Sequence, residues 1–451
     1  MLRSRYAFPL ASLGLAILAL LVCSLVAVAL IRALPGRYAY YLPEPLQQLR
    51  HNPHSDTLPT PASVHTPTSN RVAAPIPTDT PTLAPAESPA VPASTSTPAP
   101  TPSPEATSSP TPTPPVSITL TGLRHEHQGW NNCGPATLAM LLSYWGSQQT
   151  QYDAASVLKP DPEDKNVSPW EMEAYVRGMG FEAVTRVNGD LNQLKGLLRA
   201  GFPVIVETWY VRDAHDQLGH YRLIIGYDDS RREFLTYDSL HGPDVTVGYR
   251  ELDELWRVFN RIYLVVCTPD RWESLASVLA DGEVTQASTT SSPGAPAAAL
   301  NEAAMYEHAL EMAQSEAAAP PSECVAYADC ADWATFSWFN VGSSLTSLGR
   351  HQQAASAYDK ARQLGLHYRM LWYQFGPYES YHGAGRYADV IALADATLGT
   401  ANNLEESYYW RGMARLALGD VGGARSDLEA ALRFHKGWSP AASALANLEG
   451  S

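Results

Sequence analysis

Between Pro53 and Pro115 the chain carries 18 of its 35 prolines among threonines, serines and alanines, with hardly an aromatic or long aliphatic side chain. Such a tract has too little apolar surface to offset the entropy of ordering it, and its prolines hold it semi-extended. It predicts a disordered stalk, up to roughly 200 Å long at a polyproline rise of about 3.1 Å per residue, and makes the remaining sequence fold on either side of it. Ahead of it, Ala7 to Ile31 is an uncharged run of 25 residues, more than the roughly 20 that cross a bilayer. This predicts a transmembrane helix. Its length favours an uncleaved anchor over a signal peptide, although Ala27-Val28-Ala29 leaves cleavage open. Arg3 and Arg5 before the run are matched by Arg32 and Arg37 after it, so flanking charge only leans toward an N-terminus inside.

The expected layout is multidomain: an anchor helix at 1–35, the stalk at 36–116, an α+β domain at 117–272, a linker at 273–298 and an all-α helical repeat region at 299–451. A single-pass membrane protein with its soluble domains outside the cytoplasm fits this order. The net charge of -15 leaves no basic field for nucleic acid, so no nucleic-acid partner is expected.

In the α+β part, Cys133 stands at the mouth of a helix. Asn131-Asn132 precede it, Pro135 sits in the first turn where a missing NH costs nothing, and an apolar run leads to Trp145 and the helix-stopping Gly146. Uncovered backbone NH groups and the helix dipole favour a thiolate there. Gly219 to Tyr227 reads as a strand that begins at His220. Asp228-Asp229-Ser230-Arg231 forms a turn, and Glu233 to Ser239 returns with Asp238 near its end. Antiparallel pairing would bring Asp238 beside His220 to orient the imidazole. Gln128, five residues before Cys133, is placed to form an oxyanion hole with the Cys133 amide. Around these, Ser168-Pro169-Trp170-Glu171 is a capping box, Asp190 opens a helix closed by Gly201, and Pro203–Thr208 and Arg261–Cys267 are further strands.

Through Gln128, Cys133-Gly134-Pro135-Ala136, His220-Tyr221 and Asp238, the segment from Leu120 to Pro269 resembles the C39-like cysteine peptidases of the papain-like superfamily. The resemblance implies Cys133 as nucleophile, His220 as base, Asp238 as orienter and Gln128 as oxyanion donor, with His127 as the alternative for the last. It implies a peptide or protein substrate and requires no cofactor and no metal. Family members known as leader peptidases are fused to an ABC transporter, whereas this sequence has no Gly-x-x-x-x-Gly-Lys-Ser/Thr loop, so leader processing does not carry over. A transglutaminase-like thiol acyltransferase and a non-catalytic peptide-binding scaffold are the competing readings. A metal reading of His125-Glu126-His127, or of His215 with His220, has no recognised zinc spacing behind it.

Towards the C-terminus, Trp338, Gly342, Leu345, Gly349, Ala354, Tyr358 and Ala361 fall at tetratricopeptide spacing, as do Tyr408, Gly412, Gly419, Ala424, Leu428 and Ala431. Gly385, with Tyr378 and Tyr381, marks a degenerate middle unit, and Ala303–Ala313 and Pro440–Leu448 read as capping helices. The region resembles a tetratricopeptide domain, which implies a protein or peptide partner. A purely structural extension of the preceding domain is the alternative. Cys324 and Cys330 are six residues apart and would close a small disulfide loop in an oxidising compartment.

Overall fold

Seven antiparallel strands follow from short β-branched and aromatic runs separated by tight turns. In the computed structural model, which describes residues 10–33, 46, 58–61, 114–211, 216–287, 302–326, 330 and 332–449, they are β1 (Ser117–Thr119), β2 (Glu182–Arg186), β3 (Val204–Val211), β4 (Gln217–Asp228), β5 (Glu233–Asp238), β6 (Gly242–Gly248) and β7 (Tyr263–Cys267). Their spatial order is β2-β7-β3-β4-β5-β6, with β1 added beside the far end of β4. That addition depends on Gly226, where a Cβ would lie 2.4 Å from the Ile118 carbonyl oxygen.

The helix Cys133–Tyr144 is buried almost throughout. Leu138, Leu141 and Leu142 pack with Val176, Leu223 and Leu264 as one core. The opposite core gathers Leu194, Leu197, Phe202, Trp256 and Val265. As the sequence indicates, Ser168 and Glu171 cap the helix Pro169–Gly178 reciprocally, and Asp190 caps Leu191–Arg199. The helix Trp272–Ala287 occupies the first half of the segment expected as linker, because Leu275 and Leu279 bury against the second core.

The C-terminal region is helical. Helices Trp333–Ser347 and His351–Gln363, Gly376–Gly383 and Tyr387–Thr400, and Glu405–Ala417 and Val421–Phe434 form three successive pairs, preceded by Glu302–Ala318 and followed by Ser439–Glu449. Gly342 is needed here because a Cβ would meet the Tyr358 ring at 2.6 Å. Cys324 and Cys330 form a disulfide with a Cα–Cα separation of 5.4 Å.

The repeats do not hang from the sheet domain as a separate body. Trp209, Val258 and Phe259 of the sheet domain share one core with Phe336, Phe339 and Met370. Arg257, fully buried, reaches from the first domain into the second. Its Nε donates to Glu316 at 3.2 Å, its Nη2 donates to the Trp333 carbonyl at 3.2 Å and to the Ser337 hydroxyl, and its guanidinium lies 3.6 Å from the Trp333 ring centroid. Arg257→Ala removes one of the two arginines that pair with Glu316, Arg261 remaining 2.8 Å away, together with the contacts to Trp333 and Ser337, so it is expected to destabilise the chain by about 1.5–3 kcal/mol. Chemical denaturation of the wild type and the variant measures this.

Helix Leu10–Ala33 covers most of the run expected to span a membrane, and Leu20 and Leu25 within it are 68% and 70% exposed. Its described side chains run only from Leu18 to Ile31, and among the described residues no helix is long and apolar enough to cross a membrane. The transmembrane expectation therefore lacks support from the structure. Nearly all of the expected stalk lies outside the described residues.

Candidate active site

His220 and Arg222 alternate along β4, so their side chains share one face of the sheet. On the neighbouring strand Asp238 is in register with Arg222 and diagonal to His220. This placement produces two contacts: His220 Nε2 lies 2.9 Å from Asp238 Oδ1, and Arg222 Nε donates to Oδ2 at 3.1 Å. The backbone amides of Leu240 and His241 also donate to Oδ1, at 2.8 and 3.1 Å. With Nε2 engaged by Asp238, Nδ1 is the ring nitrogen left for Cys133, with which His220 interacts electrostatically. Cys133, His220 and Asp238 thus form one relay.

The charges follow the relay. Burial would raise the Cys133 thiol, but the neighbouring His220, the Tyr221 backbone amide and the charge of Lys159 together bring it below its ordinary value of 9.0. Burial would lower His220, yet Asp238 and Cys133 push it up to about 9. Asp238 resists its own desolvation through His220, Arg222 and the Leu240 amide, which hold its carboxyl well below the usual range. The balance favours a thiolate beside an imidazolium. Cys133 remains partly exposed, whereas Cys267 is buried and its thiol is pushed up to about 11 by burial.

The loop before Cys133 is held in place from both ends. Gln128 donates its amide NH to the Ser239 carbonyl at 2.8 Å and accepts from the Ser239 hydroxyl at Oε1, 2.9 Å away, which leaves Nε2 to donate elsewhere. His127, the alternative at this position, is exposed. His125 Nε2 lies 2.9 Å from the Asp238 carbonyl. Gln151, almost fully buried, accepts from the Gly129 amide at 2.6 Å and from Asn132 at 3.3 Å, and donates to the His127 carbonyl at 2.7 Å. Asn132 is the N-cap residue of the cysteine helix, but its side chain makes no cap hydrogen bond there, so it does not cover the amides at the helix mouth. Asn131 takes the left-handed conformation, φ 52°, one of the few residue types that tolerate it.

Four further residues escape the sequence reading. Arg222 steadies Asp238, Gln151 shapes the loop, and Lys159 donates to the Asn131 carbonyl at 3.0 Å. Glu207, in register with Tyr221 on β3, is buried, and burial together with the charge of Cys133 pushes its carboxyl well above the usual range. A Glu207 kept neutral does not compete for the imidazolium. The spacing His-x-Arg puts Arg222 on the His220 face of the strand but does not distinguish a buried charge from a solvent-facing one, and the others carry no local signature. Among the described residues no group of three or more His, Cys, Asp or Glu converges to hold a metal ion, and His215 lies outside the described residues.

Residues 120–265 match the model of the Peptidase_C39 like family, and residues 337–364 match the tetratricopeptide repeat. The chain carries a C39-like peptidase-family domain and a tetratricopeptide repeat. The relay lies wholly within the C39-like domain, and the repeat match falls on helices Trp333–Ser347 and His351–Gln363. A search of curated proteins gives no significant match. Among solved structures, the chain is similar to one described as "MamA RS-1 ArsTM double mutant", at 14% identity and a TM-score of 0.25, covering 39% of this chain and 95% of that one. A likeness at that score says nothing of a shared fold.

Proposed function

We propose that the protein is a membrane-anchored cysteine peptidase. The observation that carries this reading is the placement of His220 between the Cys133 sulfur, with which it interacts electrostatically, and the buried Asp238, to which it is hydrogen-bonded. The Cys133 thiolate attacks a peptide carbonyl, and the resulting oxyanion is met by the Cys133 amide and Gln128 Nε2. The His220 imidazolium gives its proton to the leaving nitrogen as the C–N bond breaks, leaving a thioester on Cys133. Water then attacks the thioester and loses a proton to His220, the C–S bond breaks, and a carboxylate leaves. Asp238 keeps the ring oriented throughout, and no cofactor takes part.

Helix Leu10–Ala33 and the proline-rich tract act in this reading as anchor and stalk, with the catalytic domain outside the cytoplasm. The Cys324–Cys330 disulfide supports an oxidising compartment. The repeats provide a surface for a protein partner.

Labelling of membranes with a thiol-directed acylating probe, for wild type and Cys133→Ala, before and after external protease treatment, tests chemistry and sidedness together. Labelling lost on Cys133→Ala and destroyed by external protease is the expected result, and an unlabelled wild type would overturn the peptidase. Product analysis with an added amine separates hydrolysis from transglutaminase-like transfer. Gln128→Ala is expected to lower kcat by roughly 10²–10³ with little change in KM, as loss of one oxyanion donor does, which steady-state kinetics will show.

A further inference from the structure

Outside the relay, a cleft of about 360 Å³ between the C39-like domain and the repeats carries several acidic side chains. Glu171 lines it from the first domain, and Glu379, Glu406, Phe375 and Trp438 line it from the second. Glu406 is only 9% exposed, and its Oε2 has no hydrogen-bond partner. Behind it, burial and the charge of Glu405 push the Asp164 carboxyl well above the usual range. Burial, and after it the charges of Glu405, Asp164 and Glu171, push the Glu406 carboxyl well above the usual range in the same way, which keeps it neutral until a cation faces it.

The cations around this wall are committed elsewhere. His435 lies 2.8 Å from Glu405, the Lys159 ammonium donates to backbone carbonyls, and His351 acts on Glu379. The carboxyl groups therefore outnumber the positive charges that face them. A metal ion does not fit, since no group of three or more His, Cys, Asp or Glu among the described residues converges to hold one. Aromatic side chains beside the carboxyl groups suit instead the aliphatic stem and charged head of a basic residue.

The cleft also reaches the relay. Tyr373, from the repeats, lines it and lies against Gly219, where a Cβ would be 3.2 Å from the ring. Cys133 and Tyr373 interact electrostatically. Gly219 directly precedes His220, so Tyr373 places one wall of the cleft next to the strand that carries the relay histidine.

We propose that this cleft is a substrate subsite that takes an arginine or lysine side chain of the peptide being cut, with Glu406 as the buried carboxyl that gives up its proton to solvent and pairs with the incoming cation. It rests on the peptidase reading and makes the repeats part of substrate selection. The test reads binding apart from chemistry, in the full chain carrying Cys133→Ala. Its probes are fluorescein-labelled octapeptide mixtures with arginine, norleucine or glutamate fixed at one position.

The arginine mixture is expected to bind at least about tenfold tighter than the norleucine mixture. Glu406→Gln in the same background removes that preference and leaves norleucine binding unchanged. Because Glu406→Gln replaces a buried acid by a neutral group of the same shape, its melting temperature is expected to equal or exceed that of the parent. Glu379→Gln, at the exposed rim, produces a smaller loss. Equal affinity for arginine and norleucine, or an arginine preference that survives Glu406→Gln, would overturn the subsite. Alkylation of Cys133 by iodoacetamide is read separately in the wild type. A reactive Cys133 with no arginine preference sinks the subsite alone. An unreactive Cys133 with arginine-selective binding sinks the peptidase reading and leaves a basic-peptide site.

Discussion

Cys133→Ala is expected to lower peptide hydrolysis by roughly a thousandfold or more, with thermal unfolding close to that of the wild type. Without the sulfur only substrate binding and the oxyanion donors remain, and loss of the nucleophile or the base of such a relay generally costs about as much as losing all of it. Folding is spared because Cys133 is the first residue of its helix and only partly buried, and alanine suits a helix. The nine residues Gly134 to Leu142, which form the buried face, are untouched. Turnover and melting temperature measured on the same preparation decide the matter. Activity within tenfold of wild type in a folded protein would remove Cys133 from the chemistry.

Asp238→Asn is expected to cost roughly 10³–10⁴ in kcat, as in other relays where the orienting carboxylate becomes an amide, and to weaken the fold as well. The Asp238 side chain is fully buried and accepts from four donors: His220, Arg222 and the amides of Leu240 and His241. An amide keeps the shape but has one acceptor oxygen for those four. The imidazole then loses the anion that holds it at about 9, and the thiolate loses its charged partner. Arg222, which is nearly buried, loses its counter-charge, and removing one member of a buried pair costs about 3–5 kcal/mol. A purely structural Asp238 would lower stability without moving the pH dependence of the reaction. The relay instead shifts Cys133 ionisation upward toward that of an ordinary thiol, and a pH profile of turnover separates the two.

The helix that carries Cys133 and the hairpin that pairs His220 with Asp238 were legible because each is specified locally. Pro135, the apolar run and Gly146, whose φ of +85° ends the helix, mark the first. The turn after Asp228, closed by Arg232 at φ 57°, marks the second. Arg222 was obscured because a charge on an alternating strand reads as a solvent-facing position, whereas β4 is buried almost from end to end. Gln151 looks like any polar residue at a helix start, and its role depends on a loop more than twenty residues earlier. The joining of the two regions was not legible at all. Val258 and Phe259 have the pattern of a domain's own core, and nothing local says that Phe336 and Phe339 will complete it. Tyr373 and Glu406 reach the cleft only because that shared core and Arg257 fix the repeats against the sheet domain.

The most direct test of the account is the pH dependence of Cys133 alkylation by iodoacetamide in the wild-type chain, followed by mass spectrometry with Cys267 as the internal reference. A thiolate paired with an imidazolium predicts reactivity that appears below pH 9.0, the value of an ordinary thiol, with a second change near pH 9 as His220 loses its proton. A single rise at or above pH 9.0, with Cys133 behaving like any unassisted thiol, would contradict it.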